Sequence, residues 1–268
     1  MLTPLIISWV VLRYTGKYIA FIADNWLDDW REIVNLRILP ILGRAIGLAV
    51  LLIFPALVLA LLLHLFGHWL FGLPGLILSM AALLYCCGRQ DYDAMMLTEP
   101  LVGEGDVLQK AREQRAYASY DRWFSAAFWF LLLGPAGALF YRCISILAGI
   151  KKTAISDADD IGISTNTEFI ACGDTQELLA WLDYLPIRVW GLCIVIVGDV
   201  DAGFKQWRKC FFKSKKAQQF LDAVSLAAVA CSPETFTQEN QNIRDRLLSL
   251  NDRAMWVALI CLIIIVVL

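Results

Sequence analysis

The amino-acid sequence predicts an all-α, polytopic integral membrane protein with about four membrane segments and amphipathic surface helices. Apolar residues make up 59% of the chain and charged residues 18%, against about 45–50% and about 25% in soluble globular chains. The excess apolar residues stand in blocks. The most informative block lies between Arg122 and Arg142, where no residue carries a formal charge. Trp123 to Tyr141 is 19 residues, about 28 Å as a helix, close to a hydrocarbon core of roughly 30 Å.

In chain order, residues 1–44 form an N-terminal amphipathic segment. Leu2 to Val11 is apolar but too short to span. Arg13, Lys17, Asp24, Asp28, Asp29 and Arg31 then alternate with Trp9, Tyr18, Phe21, Ile22, Trp26 and Trp30. That pattern suits a helix lying at the membrane surface, or one packed on the rest of the protein.

Residues 45–88 contain no Asp, Glu, Lys or Arg. As a helix they would measure about 66 Å, two membrane thicknesses. Gly67, Gly72, Pro74 and Gly75 punctuate the middle, which predicts a transmembrane hairpin with spans near 45–65 and 71–87. Pro55 is expected to kink the first span. Arg44 and Arg89 flank the pair and its turn carries no Lys or Arg, so both ends are expected in the cytoplasm. His64 and His68 stand at i, i+4, the spacing of a metal or haem pair on one helix face. No carboxylate is near in sequence, and a role at the interface near the turn is the favoured reading.

Residues 89–122 are a polar loop and helix. Gly103-Glu104-Gly105-Asp106 lacks a phosphate-loop lysine and does not make a nucleotide site. Residues 123–150 are the third membrane segment. Gly134-Pro135 at its centre removes a backbone hydrogen bond and kinks or breaks the helix. In lipid a break survives where protein or a watery cavity satisfies the backbone. The segment therefore either crosses as a kinked span or turns back as a re-entrant one lining a site.

Residues 151–253 form a polar and amphipathic region. Lys151 to Asp174 reads as a linker, after which Asp174 and Glu177 have the spacing of a capping box. Leu178, Leu182 and Leu185 give the next helix an apolar stripe, which Pro186 is expected to end or bend. The apolar run 189–198 is too short for a clean span. Arg208, Lys209, Lys213, Lys215 and Lys216 surround Phe211-Phe212 and are candidates for contact with anionic lipid, in which case they face the cytoplasm; a solvated loop is the plainer alternative. Ala217 to Ala230 suits an amphipathic helix, and residues 254–268 a marginal final span.

The net charge of −2 gives no electrostatic footprint for nucleic acid. Among the eight cysteines no pair has CxxC spacing, so zinc is not expected, and no metal is assigned. Most lie in or beside apolar segments, where cysteine acts as a small hydrophobe. No cleavable signal peptide is evident.

Two stretches resemble a known family. Phe128-Trp129-Phe130-Leu131-Leu132-Leu133-Gly134-Pro135-Ala136-Gly137-Ala138-Leu139-Phe140-Tyr141-Arg142 resembles the membrane motif of the cobinamide-phosphate synthases (CobD/CbiB). Leu182-Asp183-Tyr184-Leu185-Pro186-Ile187-Arg188 resembles their Asn-Tyr-x-Pro-x-Arg signature, with Asp183 where Asn is usual. With Gly43-Arg44 before the first span, the layout is most similar to the AmpE family, relatives encoded beside an anhydro-muramyl amidase. The resemblance implies a multi-pass protein of the bacterial inner membrane with a sensory or regulatory role in β-lactamase induction and cell-wall recycling. The synthases' Asn-Thr-Leu-Asp is replaced by Cys143-Ile144-Ser145-Ile146-Leu147, and their Glu-Asn pair before the Phe-Trp motif is lost. Those groups would hold a metal-nucleotide or orient an amine, so catalysis is not expected and no cofactor is assigned. A membrane-embedded amide-forming synthase is the alternative. Arg142, Asp183, Tyr184, Arg188, Asp121 and Trp129 are the candidate polar site, for a small anionic ligand or for bracing helices. Arg142 is expected to approach a carboxylate, Asp183 first and Asp121 next, because a buried charge needs a partner.

Overall fold

The structure is a computed structural model that describes residues 3–4, 6–7, 25–34, 44–67, 73–87, 106–121, 123–161, 172–212, 217–229 and 240–267. Among these the longer elements are all helices: α1 (Asn25–Ile33), α2 (Arg44–Gly67), α3 (Leu73–Cys87), α4 (Asp106–Asp121), α5 (Phe124–Ile161), α6 (Cys172–Val197), α7 (Val200–Phe211), α8 (Ala217–Ala228) and α9 (Asn240–Val267). Arg13, Lys17, Asp24, His68, Gly103 to Gly105, Arg122, Lys213, Lys215 and Lys216 lie outside the described residues. The chain divides into two compact units: residues 1–88 with 129–182, and residues 89–128 with 183–268. The chain passes between them after Gly88, within α5 and within α6.

In the first unit, α2 and α3 pack together as the predicted hairpin. α2 runs through Pro55 as one helix. α1 is packed on this hairpin: the Trp26 indole donates to the Tyr85 hydroxyl at 2.9 Å, and Trp30 stacks on Phe54 with centroids 4.9 Å apart. Of the two readings for this segment, packing on the protein describes α1. Leu27, Val34, Leu51 and Leu52 bury together with Cys143, Ile144 and Leu147 of α5. Ile53, Leu57, Leu61 and Leu65 of α2 and Ile77 of α3 are exposed, large apolar side chains that mark a surface for protein or membrane contact.

α5 breaks at Gly134, whose φ of 77° and ψ of −168° are not helical. Only glycine occupies that region without strain, and Pro135 restarts the helix from a position where its missing N–H costs nothing. The break lies where Gly134-Pro135 predicted it. Gly137 sits so close below the break that an added Cβ would stand 2.3 Å from the Leu133 Cβ and 2.9 Å from the Trp129 carbonyl oxygen. Beyond the apolar part, α5 continues to Ile161, so the start of the expected 151–174 linker is helical.

The second unit is built on α6. Its apolar residues Ile187, Trp190, Cys193, Ile194 and Val195 are buried. Pro186 lies inside the helix, so of the two expectations for it, ending or bending, the ending is corrected. The physical reason is burial: packing on both sides of Pro186 sustains a helix that propensity alone would stop. α6 begins at Cys172, so Asp174 belongs to its first turn rather than preceding it.

α7 returns antiparallel along α6. The Trp207 indole donates to the Arg188 carbonyl at 3.1 Å, and a Cβ on Gly203 would touch Val195 at 3.1 Å. Arg208 and Lys209 thus stand on a helix rather than in a loop. α8 packs against α7 and α4, and its Phe220 ring lies 2.8 Å from where a Gly191 Cβ would be. α9 buries Leu250, Ala254, Ala258 and Leu262 along one face and exposes Trp256, Ile260 and Ile264 on another. The Cys193 thiol of α6 lies beside that of Cys261 in α9.

Among the described residues three helical stretches are long and apolar enough to cross a membrane: Ile46–Leu65, Ala116–Ala148 and Thr175–Val197. Leu73–Cys87 is apolar but shorter. This set differs from the four expected segments at α6. Thr175–Val197 joins because α6 does not stop at Pro186. Residues 254–267 of the expected final segment are the apolar end of α9, whose first half is polar.

Candidate functional site

The polar centre of the second unit is Asp183. It is 2% exposed and accepts two hydrogen bonds from α4: the Tyr117 hydroxyl at 2.6 Å to Oδ2 and the Tyr120 hydroxyl at 2.8 Å to Oδ1. Each carboxylate oxygen therefore has its own donor. The two phenols reach it together because i and i+3 share one face of a helix. Their rings pack at 5.6 Å, and Tyr120 continues into Phe124 at 6.1 Å. Phe124 packs in turn on Trp190 of α6 at 5.1 Å. One turn before Tyr117, the buried Glu113 accepts a hydrogen bond from the Gln109 amide at 2.8 Å.

Arg188 lies one and a half turns beyond Asp183 and is 5% exposed. Its guanidinium donates through Nη1 to the Tyr184 carbonyl at 2.7 Å. Nε and Nη2 both reach the Phe211 carbonyl, at 3.2 and 2.8 Å. The same group lies 3.4 Å over the Tyr184 ring, with Phe211 and Phe220 at 5.2 and 5.4 Å. An arginine held this way is a planar clamp, which lysine cannot imitate.

The expected site residues divide between the two units. Asp121, Asp183, Tyr184 and Arg188 belong to the second. Asp121 is buried, and its carbonyl accepts from Ser125 Oγ at 3.2 Å. Arg142, buried, and Trp129, half-buried, belong to the first. Among the described residues no three His, Cys, Asp or Glu side chains gather as a metal-ligand set. His64 is exposed on α2.

The residues that inspection of the motifs missed are Tyr117, Tyr120 and Phe211. The first two had a signal. They stand at i, i+3 immediately before an apolar span, and a phenol entering an apolar environment requires a partner. The Phe211 carbonyl had none, since a backbone acceptor is invisible in the sequence.

Among the described residues the chain is all-helical, with three helices long and apolar enough to cross a membrane and a buried tyrosine–carboxylate cluster beside an arginine clamp. Compared with known proteins, the chain matches no family model, no curated protein and no solved structure.

Proposed function

We propose that this chain is a multi-pass protein of the bacterial inner membrane with an AmpE-like sensory or regulatory role in β-lactamase induction and cell-wall recycling, and without catalytic activity. The observation that carries the non-catalytic part is how the Asp-Tyr-x-Pro-x-Arg residues are used. Asp183 accepts from two phenols, and Arg188 spends three donors on backbone carbonyls. A reacting acid or base must reach substrate within hydrogen-bond distance; here these groups join α4, α6 and α7. The membrane reading is supported by the three long apolar helices and the exposed apolar surface of α2 and α3. The regulatory reading rests on the sequence resemblance.

Two measurements test it. In a host with an inducible β-lactamase, deleting and restoring this gene should change enzyme induction by a cell-wall-directed β-lactam; identical induction in both strains counts against the role. Expressed in a cell lacking its own cobinamide-phosphate synthase and fed precursors, the chain should not restore corrinoid synthesis. Restoration would favour the amide-forming synthase.

A further inference from the structure

We propose that the outward face of α7 rests on the anionic headgroups of a phospholipid leaflet, an inference that builds on the membrane reading above. α7 starts at Val200, three residues beyond the last residue of α6, so it is tethered to a segment long and apolar enough to enter a bilayer. The tether is rigid. The Asp199 carboxylate caps α7 by accepting from the Asp201 and Ala202 amides at 3.0 and 3.1 Å, and the Asp199 amide donates to the Ala228 carbonyl at 2.8 Å.

With Gly203 and Trp207 turned to α6, the outward side of α7 presents the exposed Lys205, Arg208, Lys209 and Phe212, with the exposed Phe204 at its edge, stacked on Trp207. Phe212 is 85% exposed. Two aromatic rings held in water beside three cations make a poor surface for a soluble protein and a good one for a lipid interface. Rings enter the boundary between headgroups and acyl chains, while long basic side chains keep their charge at the phosphates. The one carboxylate exposed on α7 is Asp201, in the first turn, where it complements the helix N-terminus. In sequence the basic run continues with Lys213, Lys215 and Lys216. Charge complementarity selects anionic phospholipid as the occupant.

The test uses the full chain reconstituted in liposomes of phosphatidylcholine, with or without phosphatidylglycerol. Phe212→Cys is labelled with a nitroxide in a background lacking Cys172, Cys210, Cys231 and Cys261. Gln219→Cys, at an exposed position of α8, is the aqueous reference. With phosphatidylglycerol, the label at position 212 should collide with oxygen more than with a water-soluble nickel chelate, and the label at 219 should show the reverse. Lys205→Gln, Arg208→Gln and Lys209→Gln together should weaken this attachment on the order of 100-fold, returning the label at 212 toward water. A label at 212 that stays as chelate-accessible as that at 219 in both lipids, in a chain that still resists alkaline extraction, overturns the inference and leaves the membrane reading standing. Release of the chain by alkali overturns both. Spin–spin broadening at 212 would assign the face to a second copy of this chain and also overturn the proposal.

Discussion

Arg188 and Phe211 are joined by two hydrogen bonds, Nε at 3.2 Å and Nη2 at 2.8 Å to one carbonyl oxygen. Phe211 is the last residue of α7, so its carbonyl is one that a helix end leaves without an intrahelical donor. The arginine supplies that donor and places positive charge at the negative end of the helix. Asp199 performs the mirror role at the start of α7. The two residues fix both ends of the helix that folds back on α6.

Arg188→Lys should therefore loosen α7 although the charge is kept. A single ammonium cannot serve the Tyr184 and Phe211 carbonyls together while stacking on the Tyr184 ring. The expected loss is about 1–3 kcal/mol, read as a lower thermal midpoint in detergent and faster protease cleavage just beyond Phe211. An unchanged midpoint would remove the clamp role.

Tyr117 and Tyr120 should matter through Asp183. Tyr120→Phe removes a buried hydrogen bond to a carboxylate and should cost about 1–3 kcal/mol. Tyr117→Phe acts on the other oxygen, and the two changes should not add, because each leaves the same carboxylate under-served. Asp183→Ala should cost more than either, since it strands two phenols. Tyr120→Phe should also cost much less once Asp183 is Ala; equal cost in both backgrounds would show that the pair is not coupled.

The break in α5 makes two glycines necessary for different reasons. Gly134→Ala places a side chain at φ 77°, a strain of about 1–3 kcal/mol. Gly137→Ala collides with the Leu133 Cβ and the Trp129 carbonyl. Since the first contact is with the Cβ itself, Leu133→Ala should not rescue it. Folded yield and thermal midpoint of Gly137→Ala alone and with Leu133→Ala give the comparison. Full rescue would point to the outer part of Leu133 instead.

Topology needs a probe that solvent can reach. Cys86 and Cys87 are 3% and 1% exposed, so their failure to react would reflect burial whichever side they face. Leu73, at the turn end of α3 and 60% exposed, is the better site. Leu73→Cys should react with an impermeant maleimide added outside intact cells, while Ile46→Cys, at the opposite end of the hairpin, should not. The opposite pattern would invert the hairpin.

Local chemistry made much of this legible. A glycine before a proline in an uncharged run marks a break wherever that run is placed. Forty-four uncharged residues with glycine and proline in the middle can hardly form anything but a hairpin. Pro186 shows the limit. Its effect depends on whether neighbours hold the helix on either side: before it Tyr117 and Tyr120 bond Asp183 from more than 60 residues earlier, and beyond it Trp207 and Phe220 meet Arg188 and Gly191 from 19 or more residues later.

By itself the sequence determined the helical class, the hairpin of α2 and α3, the break at Gly134 and the polar residues of the Asp-Tyr-x-Pro-x-Arg stretch. All of these follow from short-range rules: hydropathy over one span, φ freedom at one residue, a missing N–H at another. Only the tertiary structure decided what those polar residues do. Asp183 meets Tyr117 and Tyr120 from 66 and 63 residues away, and Arg188 meets a carbonyl 23 residues on. A buried charge must find partners, but which partners it finds is set by how α4, α6 and α7 pack, and no local pattern encodes that meeting.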